Sequence, residues 1–504
     1  MTVVSKPIRP VKPAGGPATH TRPTSTPIAE TPAALASSPT VARSGDAYGT
    51  LISSTFEVAL APGFDPIDLF AAARESGLEP FLWVQPDRKA ALVGIGCAWS
   101  VEAVGPGRFA AVASAWESRL IGARLDIAQN AGRGAGPVLV GGLGFTGEAP
   151  QDPTWVPFGA ASMALPELLL AQTPRGSWLT TSFVAGRDGG GSEDNDAPSR
   201  LERQWRDLLA KADSVSANAG RHPSGRSPLT LVAEYPDRPT WERLIDRLAG
   251  AVGRGRLDKV VLAGRTDLSA AHDLDVVGAL RSLAAGSPNS TTYAVGRGGS
   301  VFIGATPERL ISTEGREFRT VAMAGSIRHA DNATEEAALA DELLGSGKDR
   351  EEHGIVVEML RAMLEPVASE IFVAPTPVVA AFGTVQHLVT TVTGRLRSRA
   401  GILPLAALLH PTPAVGGEPR APALESIAEH ETFERGWYAG PLGWVGADGD
   451  GELVVALRCA VVSGRTAALF AGCGIVADSD PAREWEESRN KMQVVASALG
   501  EVHS

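Results

Sequence analysis

The second half of the chain is a succession of short strand-like segments with few helices between them. Lys259-Val-Val-Leu-Ala, Val301-Phe-Ile-Gly-Ala-Thr-Pro-Glu308, Thr320-Val-Ala-Met-Ala-Gly325-Ser326 and residues 382–393, 437–445, 453–462 and 467–476 are rich in apolar residues and bounded by turn formers. Strands that follow one another in this way predict an α+β fold, with large antiparallel β-sheets packed with flanking helices. The first half carries weaker signals of the same kind, with strands at 50–58, 81–84, 90–96 and 138–145 and strand-like alternation at 158–170 and 178–184. Helices are expected at 66–76, 114–131 and 201–212, and one capped by Thr240 runs through Val252. No short repeat is present. Gly142-x-Gly144-x-x-Gly147 has the spacing of a dinucleotide fingerprint, but Glu-Ala-Pro-Gln-Asp-Pro follows it instead of a helix, so that reading is discarded.

Two helices stand out by their charges. In Lys348-Asp349-Arg350-Glu351-Glu352-His353, apolar Ile355, Val356, Met359, Leu360, Met363 and Leu364 follow at helical spacing. Asp349 and Glu352 are three apart and share a face. In Glu484-Trp485-Glu486-Glu487-Ser488-Arg489-Asn490-Lys491, Glu484 and Glu487 are again three apart, with Lys491 four beyond Glu487. Singly, such pairs suit the positive end of a helix dipole or a surface ion pair. Brought together, they suit a hard cation such as Mg²⁺, which takes few protein carboxylates and keeps places for water and substrate oxygens. Ser488-x-x-Lys491 mimics a hydrolase nucleophile pair, but its helix face is already taken by the acids.

Residues 1–45 are read as a disordered tail. Eight prolines fall before residue 45 and no hydrophobic period survives there. The enzyme domain is then 46–504, a strand-rich half at 46–227 and a catalytic half at 228–504, with polar loops at 186–199 and 216–227. The net charge is −11 with no long basic run, which argues against a nucleic-acid surface. No apolar run reaches membrane-spanning length. The three cysteines, Cys97, Cys459 and Cys473, form neither a disulfide framework nor a zinc site, as fits a cytoplasmic protein.

The motifs Lys-Val-Val-Leu-Ala, Thr-Pro-Glu-Arg-Leu, Ala-Gly-Ser, Lys-Asp-x-x-Glu-His, Ala-Gly-x-Gly-Ile-Val and Glu-Trp-x-Glu-x-x-x-Lys occur here in one order. In these the sequence resembles the chorismate-utilising enzymes, the family of anthranilate synthase large subunits, salicylate synthases and isochorismate synthases. The likeness runs over about 228–500, with echoes back to residue 50. It implies an anthranilate synthase component I-like fold, chorismate as substrate and Mg²⁺ as cofactor. Lys259 resembles the water-activating base of the isochorismate and salicylate synthases. Outside that pattern, a lysine facing water at a strand edge would be the ordinary reading. Ala414, in Pro411-Thr-Pro-Ala414-Val-Gly-Gly, resembles the isochorismate synthases, where the salicylate and anthranilate enzymes carry Thr.

The resemblance implies Lys259 as base and Glu308 as acid. Glu352 and Glu487 would hold the metal, with Asp349 and Glu484 beside them. Arg458 and Lys491 are candidates for the substrate carboxylates, and Gly325, Ser326, Gly472 and Gly474 for close backbone approach. His387 and Tyr438 resemble pocket residues. The expected protein is an isochorismate synthase acting as a monomer without a glutaminase subunit. The alternatives are a salicylate synthase, which also eliminates pyruvate, and a silent chorismate binder, which would need neither acid nor base.

Overall fold

The structure is a computed structural model that describes residues 41–44, 49–186, 192–218, 227–330, 332–382 and 385–503. Residues 1–40 and 45 of the expected tail lie outside them, as do parts of both expected loops. Within the described residues the chain builds two sheets, of 11 and 14 strands. Nearly every neighbouring pair is antiparallel; Ser227–Tyr235 with Gly500–His503 and Thr50–Glu57 with Arg124–Ile127 are parallel. This is the expected α+β architecture of antiparallel sheets with flanking helices.

Both sheets draw strands from both halves of the sequence. Phe81–Gln85 pairs with Thr291–Arg297 in the larger sheet, and Val138–Leu143 with Pro441–Gly446 in the smaller. Between the sheets lies an aromatic centre in which Trp155 meets Phe158, Phe302 and Phe470 at ring distances of 5.8, 5.3 and 5.2 Å. Burying each such ring stabilises the fold by roughly 2–3 kcal/mol. Gly436 is needed there: its φ is +52°, and a Cβ would lie 2.0 Å from the Trp155 ring.

Three pairings position the site. Lys259–Ala270 runs beside Thr466–Ile475, with Val261 opposite Gly474 and Ala263 opposite Gly472. Glu317–Arg328 runs beside Val385–Leu396, and its register slips between Ala324 and Ser326, so that Ser326 faces His387. Gly325 sits in that bulge with φ +74°, a conformation that favours glycine. The acidic helices lie against these sheets. Gly347–Leu364, capped by Ser346, packs on Glu317–Arg328 through His353, Val356, Leu360 and Leu364. Pro481–Leu499, capped by Asp480, packs on Thr466–Ile475.

Several local expectations are corrected. The helix expected at 114–131 is Arg108–Leu120; Gly122 at φ +74° ends it, and Arg124–Ile127 is an exposed edge strand. The helix expected at 201–212 spans Ser192–Asn218, taking up part of the expected 186–199 loop. Asp237, rather than Thr240, caps Arg238–Gly253, its carboxylate accepting from the Thr240 amide at 3.0 Å. Only Pro441–Gly446 of the expected 437–445 strand is extended, since Ala439 turns the chain at φ +61°. Val41–Ser44, within the expected tail, is a strand on Trp99–Val104.

Candidate active site

One cavity of about 920 Å³ opens between the two acidic helices and the strands Lys259–Ala270, Thr466–Ile475 and Glu317–Arg328. Every candidate catalytic, substrate-binding and metal-ligating residue named from the sequence lines it.

Lys259 opens its strand and is only 2 % exposed. Its Nζ donates to Glu352 Oε1 at 2.6 Å, a contact between residues 93 apart in sequence. Gly474 makes this reach possible. A Cβ there would lie 2.5 Å from Lys259 Cε and 3.0 Å from Nζ. Glu308 is 5 % exposed, and its backbone is fixed by Val455, whose N–H donates to the Glu308 carbonyl at 3.0 Å. Burial pushes its carboxyl up to about 7, against the opposing pull of the Lys259 and Lys491 charges and the Thr412 hydroxyl. A carboxyl with its proton affinity raised by burial and an amine share one cavity.

The cationic side of the cavity is built around Arg458. Its Nη2 lies 3.1 Å from His387 Nε2, while His387 Nδ1 lies 3.0 Å from Ser326 Oγ and 3.3 Å from the Gly325 carbonyl. Burial and then the Arg458 charge push His387 well below the usual histidine range, so its imidazole is neutral. A guanidinium can only donate, so Nε2 is the accepting nitrogen and Nδ1 carries the proton. Burial lowers Arg458 to about 10, which leaves it charged at neutral pH, and its buried Nη1 has no partner among the described residues. Arg458 itself holds φ +49°. Burial raises the Tyr438 phenol, which stays protonated as a donor. Its hydroxyl faces Gly472, where a Cβ would come within 3.0 Å of it.

The four acids come to the same wall. Asp349 accepts from Ser346 Oγ, Glu352 from Lys259, and Glu487 Oε1 from Lys491 Nζ at 2.6 Å. Lys491 also donates to the Gly472 carbonyl at 2.9 Å. Burial alone would lower its pKa, but Glu487 holds it raised. Burial and then the neighbouring Glu487 charge push Glu484 up to about 7. Such mutual repulsion is what a divalent cation relieves, so the donor set fits a hard cation. In this arrangement the two lysines satisfy Glu352 and Glu487, and no three His, Cys, Asp or Glu side chains converge on a metal position among the described residues.

Sequence reasoning missed Thr412 beside Glu308, and Arg328 and Arg483 on the cavity wall. It also missed the buried pair Glu431–Arg435 behind it.

Two antiparallel sheets closing over a pocket with an amine, a protonatable carboxyl, a free guanidinium donor and paired acids define an enzyme for a small polyanion. A family model described as chorismate binding enzyme matches residues 42–500, and the chain belongs to that family. The salicylate biosynthesis isochorismate synthase of Pseudomonas aeruginosa is 34 % identical over 453 residues, 90 % of each chain. The menaquinone-specific isochorismate synthase of Escherichia coli superposes with a TM-score of 0.72 at 26 % identity, covering 90 % of this chain and 96 % of that one. Anthranilate synthase component I of Streptococcus pneumoniae, at 23 % identity and a TM-score of 0.59 over 73 % of this chain and 82 % of that one, shares the fold. Among the described residues no helix is long and apolar enough to cross a membrane.

Proposed function

We propose that this chain is an isochorismate synthase, converting chorismate reversibly to isochorismate. The observation that carries the reading is the placement of Lys259 and Glu308 on the wall of one cavity. Water attacks C2 of the ring and gives its proton to Lys259. Glu308 protonates the C4 hydroxyl, which leaves as water while both ring double bonds shift by one position. Water is added and water is lost, so the product is an isomer of the substrate. The amine must be neutral to accept a proton, so the Lys259–Glu352 pair must part before attack. Arg458, with its spare donor, takes a substrate carboxylate, and Tyr438 and Lys491 add donors to the same cavity.

Mg²⁺ would be held by Glu352 and Glu487, with Asp349 and Glu484 beside them. When bound it supplies charge neutralisation for the ring carboxylate. The protein is proposed to work in the cytoplasm as a monomer without a glutaminase subunit. The salicylate synthase reading is disfavoured by Ala414, which has no hydroxyl where Thr is expected for that enzyme.

The test is product identification from purified protein, chorismate and Mg²⁺, with and without EDTA. Isochorismate without pyruvate is expected, and EDTA should abolish it. Salicylate with pyruvate would move the assignment to the alternative, and no product at all would overturn it.

A further inference from the structure

Behind the cavity lies a buried ion pair that the reaction scheme does not use. Arg435 and Glu431 are 3 % and 4 % exposed. Arg435 Nε and Nη2 donate to Glu431 at 2.8 and 2.5 Å. The other contacts reach three separate parts of the site. Nη1 donates to the Val415 carbonyl at 2.7 Å, on the loop that carries Ala414. Nη2 donates to the Val261 carbonyl at 2.9 Å, two residues along the strand from Lys259. The Arg435 carbonyl accepts from the Tyr438 amide at 2.9 Å. Glu431 Oε1 in turn accepts from the Ala263 amide at 2.8 Å. The guanidinium lies over the Phe145 ring at 4.2 Å, which fixes its plane.

We infer that Arg435, locked by Glu431, is a positioning residue that holds the Ala414–Val415 loop and the Lys259 strand in one fixed relation across the cavity. The loop matters because Thr412, at its start, stands beside Glu308, so the same clamp spans the base side and the acid side. A buried pair costs desolvation, and well-packed apolar residues often replace one with no loss of stability. Its planar fork instead supplies several donors in fixed directions, which a point-charge ammonium cannot copy. Catalysis by two groups on opposite faces of a ring is sensitive to such spacing.

The inference rests on the proposed isochorismate synthase reading, and the experiment keeps the two separable. Wild type, Arg435→Lys and the double variant Glu431→Leu/Arg435→Met are compared for kcat, KM, melting temperature and hydrogen exchange. A wild type that forms no isochorismate would defeat the functional reading alone. For the clamp, Arg435→Lys should be folded, with kcat lowered roughly ten- to a hundredfold and KM for chorismate within about twofold of wild type. The amides of Thr412 and of residues 414–417 should exchange faster in it while those of the outer strands do not. The double variant, which leaves the Val261 and Val415 carbonyls and the Ala263 amide without these partners, should fold with a lowered melting temperature and show the same loss of kcat. Wild-type kcat in a folded variant, or a loss of kcat that follows the loss of folded protein with exchange at those amides unchanged, would overturn it.

Discussion

Gly474 has no side chain, and that absence is what lets Lys259 reach Glu352. An added methyl would overlap Lys259 Cε and push the amine off Glu352 toward the cavity that it lines. Gly474→Ala should therefore fold and lose kcat by roughly tenfold or more in a steady-state assay. Glu308 makes a second prediction. As the proton donor it must be protonated, and its folded value near 7 lies above the ordinary 4.5. The protonated fraction is full well below 7 and falls tenfold per pH unit above it. The pH profile of kcat/KM should descend through about pH 7. Glu308→Gln, which keeps the shape but holds no transferable proton, should cost roughly a hundredfold or more in kcat. At this scale the sequence was readable only through the family motifs. A lysine at the head of an apolar strand, taken alone, is ordinarily one that faces water. Arg435 and Thr412 were not readable, because an arginine or threonine in a loop breaks no pattern and their partners lie far along the chain.

The two acidic helices were legible as elements because i, i+3 acids and an apolar stripe show directly in the residue spacing. Of their partners, one was: Lys491, four residues beyond Glu487, holds it at 2.6 Å, whereas nothing in Glu352 indicates that Lys259, 93 residues away, holds it at the same distance. The boundary errors have local causes: Gly122 cut one helix short, and the Asp237 side chain outcompeted Thr240 as a cap. Each acidic helix presents its candidate ligands within the first two turns, beside a side-chain cap at Ser346 or Asp480. The proposed Mg²⁺ site predicts that Glu487→Gln weakens Mg²⁺ binding by roughly tenfold or more, read by calorimetric titration in the presence of chorismate. Unchanged binding would remove Glu487 from the ligand set.

The whole molecule is held together by pairings that no local pattern specifies. Alternation marks a strand but not its neighbour, so the interleaving of both sequence halves in both sheets was out of reach. One buried carboxylate shows what that interleaving requires. Glu452 accepts from Arg309 Nε and Gln85 Nε2 at 2.8 Å each and from Arg133 Nη1 at 3.1 Å, joining the two halves. Burial alone would raise its pKa, but Arg309, then Arg133 and Arg88, bring it down to about 2. A folded value below the ordinary 4.5 means the stabilisation is full above about pH 4.5 and is lost as pH falls toward 2, on the order of 3 kcal/mol in all. Glu452→Ala would strand the arginines. It should lower stability at pH 7 by roughly 3–5 kcal/mol in denaturant melts and flatten the acid limb of the stability curve.

The central claim is that this fold activates a water molecule on one face of a ring while expelling a hydroxyl from the other. Turnover of chorismate in ¹⁸O-enriched water, read by mass spectrometry of the product, tests it most directly. Isochorismate carrying one solvent oxygen, at its C2 hydroxyl, is the predicted result. Isochorismate with no solvent oxygen would mean that the hydroxyl migrates within the substrate, and the roles given to Lys259 and Glu308 would fall.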